Sequence, residues 1–254
     1  MTISINQPLS YSHIGQKPNQ EDCIYPQAKA ATPQHRFFIL CDGMGGHSHG
    51  EVASRIVCET LGAFFESHPL EDGYLGEDLF KLGLSKAYDA LDEYGDDESF
   101  RKMGTTLAFV YFHKGGCFSA HLGDSRIYQI RPGKGVVFQS MDHSLVNDLL
   151  QIGEISEEEA VDFPHKNIIT RAMQPHLEQR YKADIHQLTD LQGGDYFFLC
   201  SDGVLEQLTN EALVSVLSDD SLPDGQKMEA LEGISIGKTH DNFTAWLIGV
   251  DQVA

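Results

Sequence analysis

Apolar residues along this chain fall into two patterns. In the first, short unbroken runs are bounded by turn residues: Arg36 to Cys41 (R-F-F-I-L-C), Thr105 to Phe112, Cys117 to Leu122, Arg126 to Ile130, Val136 to Gln139, Tyr196 to Cys200 and Phe243 to Val250. Such runs predict β-strands. The turns Gly115-Gly116, Gly123-Asp124-Ser125 and Arg131-Pro132-Gly133-Lys134-Gly135 join four of them in succession, which predicts an antiparallel meander. In the second pattern apolar residues recur at helical spacing. Val52, Ile56, Val57, Leu61, Phe64 and Phe65 follow Ser48-His49-Gly50-Glu51, which has the spacing of a capping box. Leu79, Phe80, Gly83, Leu84, Ala87, Leu91 and Tyr94 form a second amphipathic set. Ser156-Glu157-Glu158-Glu159 opens a short helix, Thr209 caps a helix over Glu211 to Leu217, and Ser221 caps one ending near Ile234. Antiparallel strands interspersed with helices predict a layered α+β architecture, not a doubly wound parallel sheet. Residues 144–180 read as a polar, partly helical inserted subdomain.

Composition narrows the setting. A chain of 254 residues with 41% hydrophobic content suits one large domain, or at most two small ones, with a sizeable core. No apolar run is long enough to span a bilayer, and Met1 to Asn6 lacks the basic and apolar regions of a secretory signal, so a cytoplasmic protein is expected. Asp and Glu total 38 against 18 Lys and Arg, a net charge of −20 that disfavours nucleic acid and anionic membranes as partners. Cys23, Cys41, Cys58, Cys117 and Cys200 show no C-x-x-C pairing and read as reduced core residues.

The acidic excess has a pattern. Phe37-Phe38-Ile39-Leu40-Cys41-Asp42-Gly43 and Phe197-Phe198-Leu199-Cys200-Ser201-Asp202-Gly203 nearly copy each other, each ending a buried run with Asp-Gly. An aspartate just beyond a strand puts its carboxylate at the sheet's edge, and glycine turns the backbone there without a Cβ clash. Asp124 and Asp241 lie at comparable junctions, and Glu21-Asp22 precedes the first core strand. A single Asp-Gly marks a turn and nothing more. Carboxylates gathered from several junctions repel each other, which implies raised pKa values or bound cations. An all-oxygen donor set selects Mg²⁺ or Mn²⁺ over Zn²⁺. His47-Ser48-His49 has no matching Cys or His cluster that would make a zinc site. Gly43, Gly45 and Gly46 fit neither phosphate-loop pattern.

Taken in order, these segments resemble the metal-dependent protein phosphatases of type 2C (PPM), in their bacterial form. Lys17-Pro18-Asn19-Gln20-Glu21-Asp22 is similar to the family's R-x-x-N-E-D opening, and Asp42-Gly43-Met44-Gly45-Gly46-His47 with Gly50-Glu51 to its D-G-M-G-G-H-x-x-G-E segment. Gly104-Thr105-Thr106, Gly123-Asp124-Ser125-Arg126, Asp142-His143-Ser144, Asn167 to Ala172, Ser201-Asp202-Gly203 and Asp241-Asn242-Phe243-Thr244 match the later motifs in sequence.

The resemblance implies one domain over 1–254, a four-layer α-β-β-α sandwich of two antiparallel sheets, with 144–180 as its flap. It implies hydrolysis of phosphoserine and phosphothreonine by in-line attack of a hydroxide shared by two Mn²⁺ or Mg²⁺ ions. By position Asp42 bridges the two cations, Asp202 and Asp241 complete one site, and Glu21 with the Gly43 carbonyl completes the other. Asp124 with Asp202 matches a third, weaker site, and Asp22 orients water from behind the ligands. Implied partners are phosphorylated proteins opposite a Ser/Thr kinase, with the phosphatase acting as a monomer.

Two positions depart from the family pattern. Lys17 stands in place of the phosphate-gripping arginine, a point charge without the bidentate fork; Arg55 and Arg126 are the alternative cations for that task. Gln174 stands where a glycine is usual after the flap motif. Met44, as is usual in bacterial forms, occupies the place where eukaryotic members carry a histidine proposed as general acid, leaving His47 as a candidate against its plainer reading as a helix-start residue. The complete carboxylate set argues against a phosphoprotein-binding module that has lost catalysis, and the polar flap favours a protein substrate over a small metabolite.

Overall fold

A computed structural model describes residues 2–45, 49–70, 73–161, 163–164 and 168–254. Twelve strands form two six-stranded antiparallel sheets. In the first sheet, β1 (Ile3–Ile5) and β2 (Leu9–His13) both pair β12 (Phe243–Val253), which is followed by β11 (Tyr196–Cys200), β8 (Arg126–Arg131) and β9 (Gly135–Gln139). The second runs β10 (Asp184–Leu188), β7 (Gly116–Leu122), β6 (Leu107–His113), β4 (Phe37–Met44) and β3 (Asp22–Tyr25), with β5 (Gly104–Thr105) pairing the end of β4.

The alternation of side chains along buried strands builds the layers. On β4, Phe38 and Leu40 pack between the sheets against Phe197, Leu199, Trp246 and Ile248. Phe37, Ile39 and Cys41 point the other way, onto α1 (Gly50–Ser67) and α2 (Glu77–Gly95). On the far side, Phe198, Cys200, Ala245 and Leu247 meet α6 (Asn210–Leu217) and α7 (Asp224–Ser235). Three apolar clusters between four layers confirm the α-β-β-α sandwich. The shorter helices are α3 (Leu145–Gln151) and α4 (Glu157–Val161) within 144–180, and α5 (Asp202–Leu205).

Several local expectations hold. Thr209 accepts from Ala212 N–H at 3.2 Å, and Ser156 with Glu159 closes a reciprocal box at 2.8 and 3.3 Å. All five cysteines are free, and four are buried. Two expectations fail. Ser221 caps no helix: its hydroxyl turns back to Asp219, and α7 starts beyond Pro223, because proline biases the residue before it away from the helical region. The four strands from 105 to 139 are not one meander. β6 and β7 pair in the second sheet, whereas β8 and β9 pair in the first, so the chain changes sheets at Gly123-Asp124-Ser125. The Ser48 cap of α1 lies outside the described residues; within them, α1 is preceded by His49 at φ 61°.

Candidate active site

Strand alternation carries the carboxylates to one end of the inter-sheet layer. Beyond Phe38 and Leu40, the next inward position of β4 is Asp42, and Asp22 on β3 is its register partner. From the other sheet come Asp202, directly after β11, and Asp241, just ahead of β12. Lys17, Glu21, Asp42, Gly43, Met44, Ile169, Asp202 and Asp241 line one cleft of about 280 Å³. Asp124 lines an adjoining cleft of about 600 Å³ with Arg126, Asp142, Asp202 and Asp241, bordered by Ser144, Val146, Asn147 and Ala160 of the 144–180 segment. Asp22 lies buried behind them. All eight site residues expected from the sequence therefore gather in one place.

Short polar side chains fix the backbone at these positions. Asp42 N–H donates to Thr106 Oγ1 and Asp42 C=O accepts from Thr105 Oγ1, both at 2.9 Å. Thr106 reaches Ser125, beside Asp124, at 2.7 Å. Ser201 Oγ donates to Asp22 Oδ2 at 2.9 Å and accepts from Thr244 N–H at 3.0 Å, tying the two sheets together under the site. Asn242 accepts from Glu21 N–H at 2.7 Å and donates to Ile14 and Asn19 carbonyls, so one amide folds the loop that carries Lys17 and Glu21. Glu206 accepts from the backbone N–H groups of His240 and Asp241 at 3.0 Å. At Gly43 the chains are so close that an added Cβ would sit 2.2 Å from the Gly50 carbonyl oxygen.

The electrostatics are those of an uncompensated acidic set. Burial first, then Asp22, Asp202, Asp124 and Asp241, push the Asp42 carboxyl well above its ordinary range. Burial raises Asp22 to about 7 against the opposing hydrogen bonds of Thr244 and Ser201. Burial and Asp202 raise Asp124 to about 7. Asp202 is raised by burial and by the neighbouring Asp241. Asp22 Oδ1 and Asp124 Oδ1 are buried without a partner. Carboxyls that raise one another, orphaned oxygens and an all-oxygen donor set together fit hard divalent cations.

Lys17 reaches into the cleft, its ammonium 2.9 Å from Asp241 Oδ1. Partial burial works to lower its pKa, but Asp241, Glu21 and Asp202 outweigh this and hold it raised. Arg126 is not available as an alternative grip, because Asp142 holds its guanidinium with two bonds of 2.7 Å. Arg55 is exposed on α1 and is not part of the lining, where Lys17 is the one cation among the described residues. Met44 lines the cleft and offers no proton. Gln174 packs its Cγ toward Gly104, where a Cβ would lie 3.0 Å away, next to the paired Thr105 and Met173. His47 and Asn167 lie outside the described residues. Of the supporting residues, Thr106, Ser125, Ser201 and Asn242 stand in the matched motifs, whereas Glu206 carried no signal beyond its place shortly after Asp202.

Comparison with known proteins identifies the family. The family model described as Protein phosphatase 2C matches residues 10–230. The chain is 32% identical over 241 residues to protein phosphatase PhpP of Streptococcus pneumoniae, covering 94% of this chain and 95% of that one. The structure of the Streptococcus agalactiae serine/threonine phosphatase superposes with a TM-score of 0.81 at 31% identity, over 96% of this chain and 99% of the other. The catalytic domain of serine/threonine protein phosphatase PstP, in complex with two manganese ions, gives 0.78 at 26% identity, over 99% and 100% of the two chains.

Proposed function

The chain belongs to the protein phosphatase 2C family and is a metal-dependent serine/threonine phosphoprotein phosphatase; on that premise we propose how its own residues perform the reaction. Asp42 would be shared by two Mn²⁺ or Mg²⁺ ions, with Asp202 and Asp241 completing one site and Glu21 with the Gly43 carbonyl the other. The observation that carries this assignment is the convergence of Glu21, Asp42, Asp202 and Asp241 on one cleft whose lining offers a single cation, Lys17, among the described residues. Divalent cations held there lower the pKa of water and neutralise phosphoryl oxygens.

The protein residues supply position and charge. Asp42, fixed by Thr105 and Thr106, and Asp202, at the end of β11, set the spacing across the two sheets. Asp22, backed by Ser201, sits behind Asp42 as a buried acceptor for a water proton. Asp124 and Asp202 line the adjoining cleft together and would hold a third, weaker cation there. Residues 144–180 act as the flap of a single catalytic domain, and the cleft they border gives a phosphorylated protein segment room beside the phosphate. An opposing Ser/Thr kinase supplies that substrate. The five free thiols fit a reducing, cytoplasmic setting, and the net charge of −20 opposes self-association, which favours a monomer. Among the described residues no helix is long and apolar enough to cross a membrane.

Lys17 is assigned to the substrate phosphate, which it would reach by leaving Asp241 once cations neutralise that carboxylate. Removing a charge-assisted contact worth roughly 1.5–3 kcal/mol lowers kcat/KM about tenfold to a hundredfold. Lys17→Ala should therefore show that loss on both a phosphothreonine peptide and a small aryl phosphate, mainly in KM, with Mn²⁺ affinity unchanged. A Lys17→Ala enzyme within about twofold of the parent removes the contact. Weakened Mn²⁺ affinity at full substrate affinity would place Lys17 on Asp241 instead.

A further inference from the structure

His121, His143 and Asp184 present ligand-type atoms within 4.8 Å of one another, away from the carboxylate cluster. Hydrogen bonding decides what they are. His143 Nδ1 accepts from Gly123 N–H at 3.1 Å, so its other nitrogen, Nε2, carries the hydrogen. That N–H lies 3.2 Å from Asp184 Oδ2, off the line needed for a good hydrogen bond, and has no lone pair to offer a cation. His121 bonds the Met141 carbonyl through Nε2 at 2.8 Å and stacks flat on His143, with ring centroids 4.7 Å apart at 13°. The trio is not a metal centre. It holds one imidazole in one orientation.

What that imidazole holds is the turn before Asp124. His143 N–H also donates to the Gly123 carbonyl at 2.9 Å, so a single residue satisfies both backbone groups of Gly123. Gly123 sits at φ +99°, where a Cβ would meet Thr106 Cγ2 at 2.6 Å, and it begins the crossing between the two sheets. On its other side, the His143 carbonyl accepts from Thr170 N–H and the Ile168 carbonyl accepts from Leu145 N–H, both at 2.9 Å, with Ser144 bridging Ile169. Ile169 lines the catalytic cleft. Flap, His143, Gly123 and Asp124 thus form one continuous hydrogen-bonded seam.

We infer that His143 is a positioning residue, whose imidazole fixes the Gly123 turn so that Asp124 is presented for the third cation, and whose backbone registers the flap to that turn. The cation half of this inference rests on the reading of Asp124 given above; the clamp itself does not.

Amide exchange in the cation-free protein isolates the clamp, and Mn²⁺ titration of the full chain reads its consequence. In His143→Ala the Gly123 amide should exchange at least about tenfold faster relative to the Phe198 amide of the β11 ladder, since local opening frees one bond without global unfolding. His143→Asn places a carboxamide oxygen where Nδ1 lies and should keep Gly123 protected. In the titration, His143→Ala should weaken the third Mn²⁺ about tenfold, leave the first two as in the parent, and match Asp124→Ala in direction. Unchanged relative exchange at Gly123 in His143→Ala overturns the clamp. Should that variant not fold, His143→Gln, whose carboxamide reaches toward the Nε2 position, is compared with His143→Asn, and equal protection in the two overturns it. A parent that takes up only two cations overturns the Asp124 assignment and the cation half with it, whatever the exchange shows.

Discussion

Asp42→Asn is expected to lower kcat/KM on a phosphothreonine peptide by on the order of a thousandfold or more. Several kcal/mol of transition-state stabilisation reside in bridged cations, and each 1.4 kcal/mol is about a factor of ten. Asparagine keeps the volume and an acceptor oxygen but removes the charge that both cations share. The fold should survive, because the Asp42 backbone is held by Thr105 and Thr106 and not by its own carboxyl. The cation-free variant should even melt slightly higher than the parent, since one member of a mutually repelling set is gone. Asp202→Asn and Asp241→Asn should act in the same direction. An Asp42→Asn enzyme that retains more than about a tenth of parental turnover at saturating Mn²⁺ would remove Asp42 from the centre of the site.

The second large effect is on stability. Asp22 is raised to about 7 in the folded protein, chiefly by burial, from an ordinary value of 3.8. A raised carboxyl favours the folded state fully only below its unfolded pKa, and that contribution is lost as the pH climbs through the folded value. The cation-free parent should therefore lose roughly 2–3 kcal/mol between pH 5 and 8 relative to Asp22→Asn, whose side chain does not titrate. The comparison with Asp22→Asn matters because His113, His121 and His143, lowered by burial, act with the opposite sign in the same window. Saturating Mn²⁺ should abolish most of the difference by stabilising the ionised cluster. Urea unfolding of both proteins at several pH values, with and without Mn²⁺, measures it. Parallel pH profiles for the two cation-free proteins would mean that Asp22 is ionised at no cost.

The central strands were legible in the sequence because they are buried on both faces and read as unbroken apolar runs. Phe197 and Leu199 face the inter-sheet layer, while Tyr196, Phe198 and Cys200 face α6 and α7. The strands missed lie at the edges or margins. Leu9–His13 alternates with serine, Asp22–Tyr25 opens on an acid, and Asp184–Leu188 is half-exposed and polar, so their pairing depends on the neighbours they find. The change of sheet at Gly123-Asp124-Ser125 was misread for a related reason. A three-residue glycine turn looks like a hairpin locally, and only the pairing of Arg126–Arg131 with β11 and β9 shows otherwise.

The candidate acidic cluster was legible because acids placed at the ends of apolar strands have few other reasons to gather. The residues that hold the acids were not, since their function lies in partners remote in sequence. Ser201 meets Asp22 across 179 positions, and Asn242 meets Glu21 across 221. Arg126 offered itself as a phosphate grip by charge alone until Asp142 was seen to occupy it. His143 stood in a matched motif, and only its two bonds to Gly123 give it work to do.

Phosphate release from a phosphothreonine peptide, followed first in excess chelator and then with Mn²⁺ restored, tests the carboxylate-held cation mechanism most directly. The predicted record is no turnover above the Asp42→Asn background in chelator and full recovery on adding Mn²⁺. Substantial hydrolysis in excess chelator would contradict it outright.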